Sequence, residues 1–208
     1  KVKWHTRDGK EARAGIMEWR GSILSYTDLN GRVLKVVPTI HPAATFRQPE
    51  YEQVCIRDWQ KIAHEGTFRE VHHPVRTHYI RPTLDDVDRF VATCEQRIDN
   101  PVAVDVENPD GPITVVGFSA EPSTSLSVDM TEGYWGTEQL PKVWALVKRF
   151  CEGPVPKILH YGLSDSFKLG LRGIHLRNYL YDTLWMHHCL GAADFHSLDY
   201  CASQDTRQ

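Results

Sequence analysis

The stretch that most constrains this chain is Val102-Ala103-Val104-Asp105-Val106-Glu107. Asn100-Pro101 breaks the chain before it, and Asn108-Pro109-Asp110-Gly111 turns the chain after it. Side chains alternate along a strand, so Asp105 and Glu107 share one face while Val104 and Val106 take the other. A run this apolar predicts a central strand, hydrogen-bonded on both sides.

The flanking pattern predicts its neighbours. Thr83 before Leu84-Asp85-Asp86 reads as a helix cap with a carboxylate three residues on. Leu84, Val87, Val91, Cys94 and Ile98 then recur at helical spacing. Residues 113–120 and 125–129 read as two strands joined around Pro122. Residues 138–151 read as a helix, with Leu140, Val143, Leu146, Val147 and Phe150 on its apolar side. Lys157-Ile158-Leu159-His160 is a short strand and Gly162 a break. Helices are then expected over 164–171, 182–190 and from 197. The order α-β-β-β-α-β-α-α defines an α/β domain with a mixed sheet.

Residues 1–68 differ. Their first 31 residues are polar, with Trp4, Trp19 and Tyr26 as apolar anchors. Val33-Leu34-Lys35-Val36-Val37 reads as a buried strand stopped by Pro38. Residues 49–64 read as a helix that includes Val54, Ile56 and Trp59. Gly66, Pro74 and Pro82 mark residues 69–82 as a linker, so the expected domains are 1–68 and 83–208.

With 24 Lys and Arg, 27 Asp and Glu and 41% hydrophobic residues, the composition is that of a globular protein. It excludes disordered, collagenous and coiled-coil chains. No run approaches the roughly 18 apolar residues of a membrane span, and the chain opens on no apolar leader. A cytoplasmic protein with no membrane partner is therefore expected. Because the first residue is Lys, a fragment or processed product is expected. The five cysteines lack CxxC spacing and are read as reduced and mostly buried. Residues 1–82 hold 14 Lys and Arg against 9 Asp and Glu, whereas residues 83–208 hold 10 against 18. A basic half can hold phosphates and an acidic half divalent metals, although solvated surface is the default for both.

Asp105 and Glu107 at the end of a central strand repel each other unless a cation joins them. Mg²⁺ or Mn²⁺ suits such oxygen ligands. The alternative is a solvated pair at an exposed strand end. Asp165, in the first turn of a helix, is either a third ligand or an acid favoured by the helix dipole. The pairs His72-His73 and His187-His188 point apart on a helix and make a poor zinc site. Trp59, Trp144 and Trp185 fall within helical patterns and read as core.

Two resemblances extend this reading. Residues 102–108 followed by Ile113-Thr114-Val115-Val116-Gly117-Phe118-Ser119 resemble the opening of the 3′–5′ proofreading exonuclease domain of family A DNA polymerases. Lys157-Ile158-Leu159-His160-Tyr161-Gly162-Leu163-Ser164-Asp165 resembles that family's second motif. Tyr181-Asp182-Thr183-Leu184-Trp185-Met186 and His196-Ser197-Leu198-Asp199-Tyr200-Cys201 resemble the segments that follow. The resemblance spans 83–208. It implies an RNase H-like fold and metal-dependent hydrolysis at single-stranded 3′ ends of DNA. Asp105, Glu107 and Asp165 would be catalytic and would hold two Mg²⁺ or Mn²⁺ ions, beside a polymerase domain as partner. It gives Asp182 no metal role, leaving a helix cap. Tyr161 stands where the family usually has Asn. The family's fourth ligand lies further downstream, so slow hydrolysis, or none, is expected. Asp199 and Asp205 are later acids.

Gly15-Ile16-Met17-Glu18-Trp19-Arg20-Gly21 and Val36-Val37-Pro38-Thr39-Ile40-His41-Pro42 resemble the C-terminal third of an iron–sulfur-type uracil-DNA glycosylase. That implies a small α/β glycosylase-like lobe. His41 would face a flipped base and Arg47 a phosphate, with the missing glycosylase segment as partner. The alternatives are a His41 that caps the following turn, and a whole chain that is a non-catalytic DNA-binding or scaffolding module.

Overall fold

The computed structural model describes residues 4–5, 11–12, 15–72, 75–108, 111–192 and 195–205. His73, Pro74 and the Pro109-Asp110 turn lie outside the described residues, as do the side chains of Trp4, Glu18 and Asp205. The chain forms two units, Lys1–Pro74 together with Leu190–Gln208, and Val75–Cys189.

The first unit begins with β1 (Trp4–His5) and β2 (Glu11–Ala12), paired antiparallel. The helix α1 (Ile16–Trp19) leads to a hairpin of β3 (Leu24–Thr27) and β4 (Val33–Val36). Short 3₁₀ turns at Pro42–Phe46 and Pro49–Tyr51 precede α2 (Glu52–Glu65). The strand expected over 33–37 is there, but it is not buried: Val33 is 66% exposed. A two-stranded ribbon has no flanking strands and little to cover it, so β-branched residues fix the conformation without gaining burial. Trp59 is likewise 49% exposed on α2 rather than core.

The second unit opens with β5 (Thr77–Tyr79) and α3 (Leu84–Gln96). β6 (Val102–Glu107), β7 (Val115–Glu121) and β8 (Thr124–Asp129) form an antiparallel meander, and α4 (Glu132–Glu152) follows. Then come β9 (Lys157–Leu159), α5 (Leu163–Gly170), β10 (Tyr179–Asp182) and α6 (Thr183–Leu190). The six-stranded sheet runs β10-β9-β6-β7-β8-β5. The β6/β9, β9/β10 and β5/β8 pairs are parallel. The sheet is therefore mixed and the unit α/β, as expected. β6 lies inside it, with Val102, Val104 and Val106 buried and Ala103, Asp105 and Glu107 exposed.

The valine face builds the core. Val87, Val91 and Cys94 of α3 and Val143, Val147 and Phe150 of α4 join Val104, Val116, Phe118 and Val128 from the strands. The Phe118 and Phe150 rings meet edge to face at 5.0 Å. Burying each such side chain contributes about 1.5–3 kcal/mol, so the helices are fixed by the face away from the acids. The expected cap at Thr83 is a full capping box: Asp86 donates its amide to the Thr83 hydroxyl at 3.2 Å and accepts the Thr83 amide at 2.9 Å. α4 is kinked at Gly136 (φ 70°). Pro141 lies five residues beyond that kink, inside the second helical segment. Trp144 is half-buried against the core as expected, whereas Trp185 is 55% exposed.

Two strands escape the sequence reading. β5 lies in the stretch expected to be a linker, and β10 takes residues up to Asp182, where a helix was expected to start. Both are sheet-edge strands of three or four residues, too short for a periodic signal. The last helix, α7 (Leu198–Asp205), follows in the first unit. There Tyr200 is buried with Ile40, Val54 and Cys55, and Asp58 accepts from Arg20 Nη2 at 2.5 Å and Thr39 Oγ1 at 2.9 Å. The cysteines form no disulfide, and all but Cys189 are buried. Among the described residues, no helix is long and apolar enough to cross a membrane.

Candidate active site

Asp105 and Glu107 stand on the face of β6 opposite the core. Across the ladder Asp105 pairs with Gly117, which has no side chain to cover the carboxylate. The third acid comes from α5. Asp165 sits in its first turn and is buried. Burial pushes its carboxyl above the ordinary value. Lys168 pulls the other way, while the charges of Asp105 and Glu107 push it up further. The helical acid thus feels the charge of the strand pair.

The turn that launches α5 is held by Asp182. Its carboxylate accepts the amides of Tyr161 and Gly162 at 3.0 Å each, the amide of Leu184 at 2.9 Å, and the Tyr179 hydroxyl. Burial works against its charge, but the Tyr179 hydroxyl and the three amides outweigh that and hold the carboxyl below its ordinary value. The expected helix cap is real, through Leu184. The larger role joins β10 to the turn before Asp165. Tyr161 takes a left-handed backbone there, φ 55°, a region that Asn tolerates better than Tyr. Gly162 is required by space, since a Cβ would lie 2.6 Å from Leu159 Cβ and 2.7 Å from Tyr179 Oη.

Lys168 completes the site from one turn further along α5. Its Nζ lies 3.5 Å from Asp165 Oδ1 and 3.4 Å from the carbonyl oxygen of Val106, the residue between Asp105 and Glu107. The sequence carried a signal for this contact, because positions three apart on a helix are neighbours. Asp182 offered no such signal, since its reach to Tyr161 and Gly162 depends on the edge strand β10.

Carboxylates are hard oxygen donors, so the donor set fits Mg²⁺ or Mn²⁺ in kind, and the Lys168 ammonium shows that a cation is accommodated beside them. As the side chains stand, no three His, Cys, Asp or Glu residues among those described converge on one point. Asp199 belongs to the other unit. His41 caps the Pro42–Phe46 turn, its Nδ1 accepting from the Ala43 amide at 3.1 Å, and Arg47 closes that turn with its side chain exposed. His72 rests against Phe68, with ring centroids 5.3 Å apart, and His187 is buried.

No protein-family model matches the chain, and no curated protein does. Among solved structures it is similar to the catalytic core of RRP6 from Trypanosoma brucei, at 18% identity and a TM-score of 0.47, over 88% of this chain and 48% of that one. It is similar to the EXD2 exonuclease domain soaked in Mg and GMP, at 14% identity and a TM-score of 0.43, over 56% and 59%. It is also similar to the POL domain of Pol1 from M. smegmatis in complex with DNA primer-template and dNTP, at 20% identity and a TM-score of 0.41, over 54% and 19%. The chain thus spans less than two thirds of each.

Proposed function

We propose that the unit Val75–Cys189 is a metal-dependent nuclease that removes 3′-terminal nucleotides from single-stranded DNA, in the manner of a proofreading exonuclease. The observation that carries this reading is the acidic group itself. Two carboxylates stand on the open face of a central strand, and a buried third one on α5 feels their charge. Such an arrangement is costly to a fold and suited to holding cations. Asp105, Glu107 and Asp165 would hold Mg²⁺ or Mn²⁺, and the chemistry supplied by two such ions is activation of a water and stabilisation of the leaving 3′-oxygen.

The chain's own residues do the rest. Burial at Asp165 keeps water from screening its charge, and Asp182 fixes the turn from which Asp165 projects. A cavity of about 380 Å³ is lined by Asn108, Ser164, Phe167, Lys168 and Leu171 among others; Asn108 and Ser164 are next in sequence to Glu107 and Asp165, but the acids themselves do not line it. The exposed Phe167 ring gives it a surface on which an unstacked base can rest. The test is a gel assay on 5′-labelled single-stranded DNA with Mg²⁺ or Mn²⁺, beside Asp105→Ala. A ladder of shortened products that the variant loses supports the reading, and equal cleavage by both proteins overturns it. The contact between Lys168 and Asp165 favours a second reading, a non-catalytic DNA-binding module whose acids are neutralised internally. DNA left intact by both proteins but retained by them without metal would support that one.

A further inference from the structure

We propose that Lys168 is an internal counter-cation for the acidic group, and that a divalent ion binds Asp165 only by displacing its ammonium. This rests on the reading of Asp105, Glu107 and Asp165 as metal ligands, and adds to it a residue that sets how tightly the metal is held.

The backbone of β6 explains why a lysine is there. The Glu107 carbonyl accepts the Thr114 amide at 2.9 Å, so it points toward β7. Successive carbonyls along a strand point to opposite sides, so that of Val106 faces the β9 side. β9 pairs with β6 only at Val102 and Ala103 and leaves Val106 beyond its reach. Lys168 Nζ occupies that position, donating to the Val106 oxygen while pairing with Asp165. The ammonium is thus anchored beside the backbone that carries Asp105 and Glu107.

This is more than a surface ion pair. The Asp165 side chain is 8% exposed and that of Lys168 is 23% exposed, so the pair is screened less than solvated charges are. The Asp165 oxygen nearest the ammonium offers one lone pair fewer to a metal, and one positive charge beside the group already offsets part of what attracts a divalent cation. Both effects weaken metal binding, and both vanish with the lysine's charge. They also account for three acids that sense one another without converging on one point.

The test is Mn²⁺ binding to the full chain, followed by calorimetry and by the electron paramagnetic resonance of free Mn²⁺. The proteins compared are the unsubstituted chain, Lys168→Gln, Lys168→Met, Lys168→Arg and Asp105→Ala, each first melted to establish that it folds. Gln retains a donor for Val106 without the charge, and Met removes both. The expectation is Mn²⁺ binding at least about fivefold tighter in Lys168→Gln and Lys168→Met, the low end of coupling between interacting sites. Lys168→Arg keeps the positive charge and should bind Mn²⁺ no more tightly than the unsubstituted chain, and Asp105→Ala should weaken binding. If Asp105→Ala weakens binding but folded Lys168→Gln and Lys168→Met bind no more tightly, the counter-cation proposal is overturned and the metal site stands. Mn²⁺ binding that is indifferent to Asp105, or undetectable in every protein, overturns the metal site and this proposal with it. Binding detectable only without the lysine's charge supports both.

Discussion

Replacing Asp182 by Ala removes one acceptor group and strands four donors at once. They are the amides of Tyr161, Gly162 and Leu184 and the hydroxyl of Tyr179. A hydrogen bond to a charged acceptor is worth about 1.5–3 kcal/mol when shielded and less when water can replace it. Tyr161 is exposed and its amide can turn to solvent. Gly162 keeps a contact to the Tyr179 oxygen at 3.1 Å. Counting about 1 kcal/mol for each of the two other losses gives a destabilisation of about 2 kcal/mol, or about 8 °C in Tm for a unit of this size. Asp182→Asn, which retains one carbonyl oxygen, should lose about half as much. The carboxyl is held below its ordinary value, so its contribution is complete above the unfolded value of about 4 and is lost as pH falls through the lower folded value. Urea unfolding of the full chain at pH 7 and at successively lower pH measures both effects. A loss below about 1 kcal/mol at neutral pH, or a difference that does not shrink on acidification, refutes the reasoning.

Two further perturbations test the local arguments. Tyr161→Asn relieves a left-handed backbone (φ 55°) that costs a non-glycine residue about 1–2 kcal/mol; it should raise the unfolding free energy by up to about 1 kcal/mol, read as a higher urea midpoint, and an unchanged or lower midpoint would count against strain there. Asp58→Ala removes the carboxylate that accepts from Arg20 and Thr39 inside the first unit; breaking such a buried pair should cost about 3–5 kcal/mol in denaturant unfolding, and a loss under 1 kcal/mol would show that neighbouring groups replace it.

The sequence was most legible where one periodicity served both fold and chemistry. Alternation over 102–107 predicted the central strand, its buried valines and its two outward acids, because a strand cannot bury one set without presenting the other. Thr83 and Asp86 were legible as a cap because a capping box is local. Val33, Trp59 and Trp185 misled because hydrophobicity reports a capacity for burial, while burial itself depends on what the fold brings near. A two-stranded ribbon brings little to Val33. The edge strands β5 and β10 were hidden because three or four residues are too few to show a period, although Thr77, Tyr79, Tyr179 and Tyr181 suit a strand.

The roles of Lys168 and Asp182 show why an acidic motif is an incomplete account of an acidic site. Three carboxylates brought together by β6 and α5 must be both positioned and neutralised, and the motif residues can do neither for one another. Positioning comes from Asp182, which reaches back across the sheet edge to the turn before Asp165. Neutralisation comes from Lys168, which uses a carbonyl that β9 leaves open. Because the two tasks fall to different residues, they can be separated by substitution. A change at Asp182 should appear chiefly as lost stability, and a change at Lys168 chiefly as altered metal affinity. If loss of the lysine's charge instead lowered stability as much as Asp182→Ala and left Mn²⁺ affinity alone, Lys168 would be a structural strut between α5 and β6, and the acids would have to be neutralised by solvent.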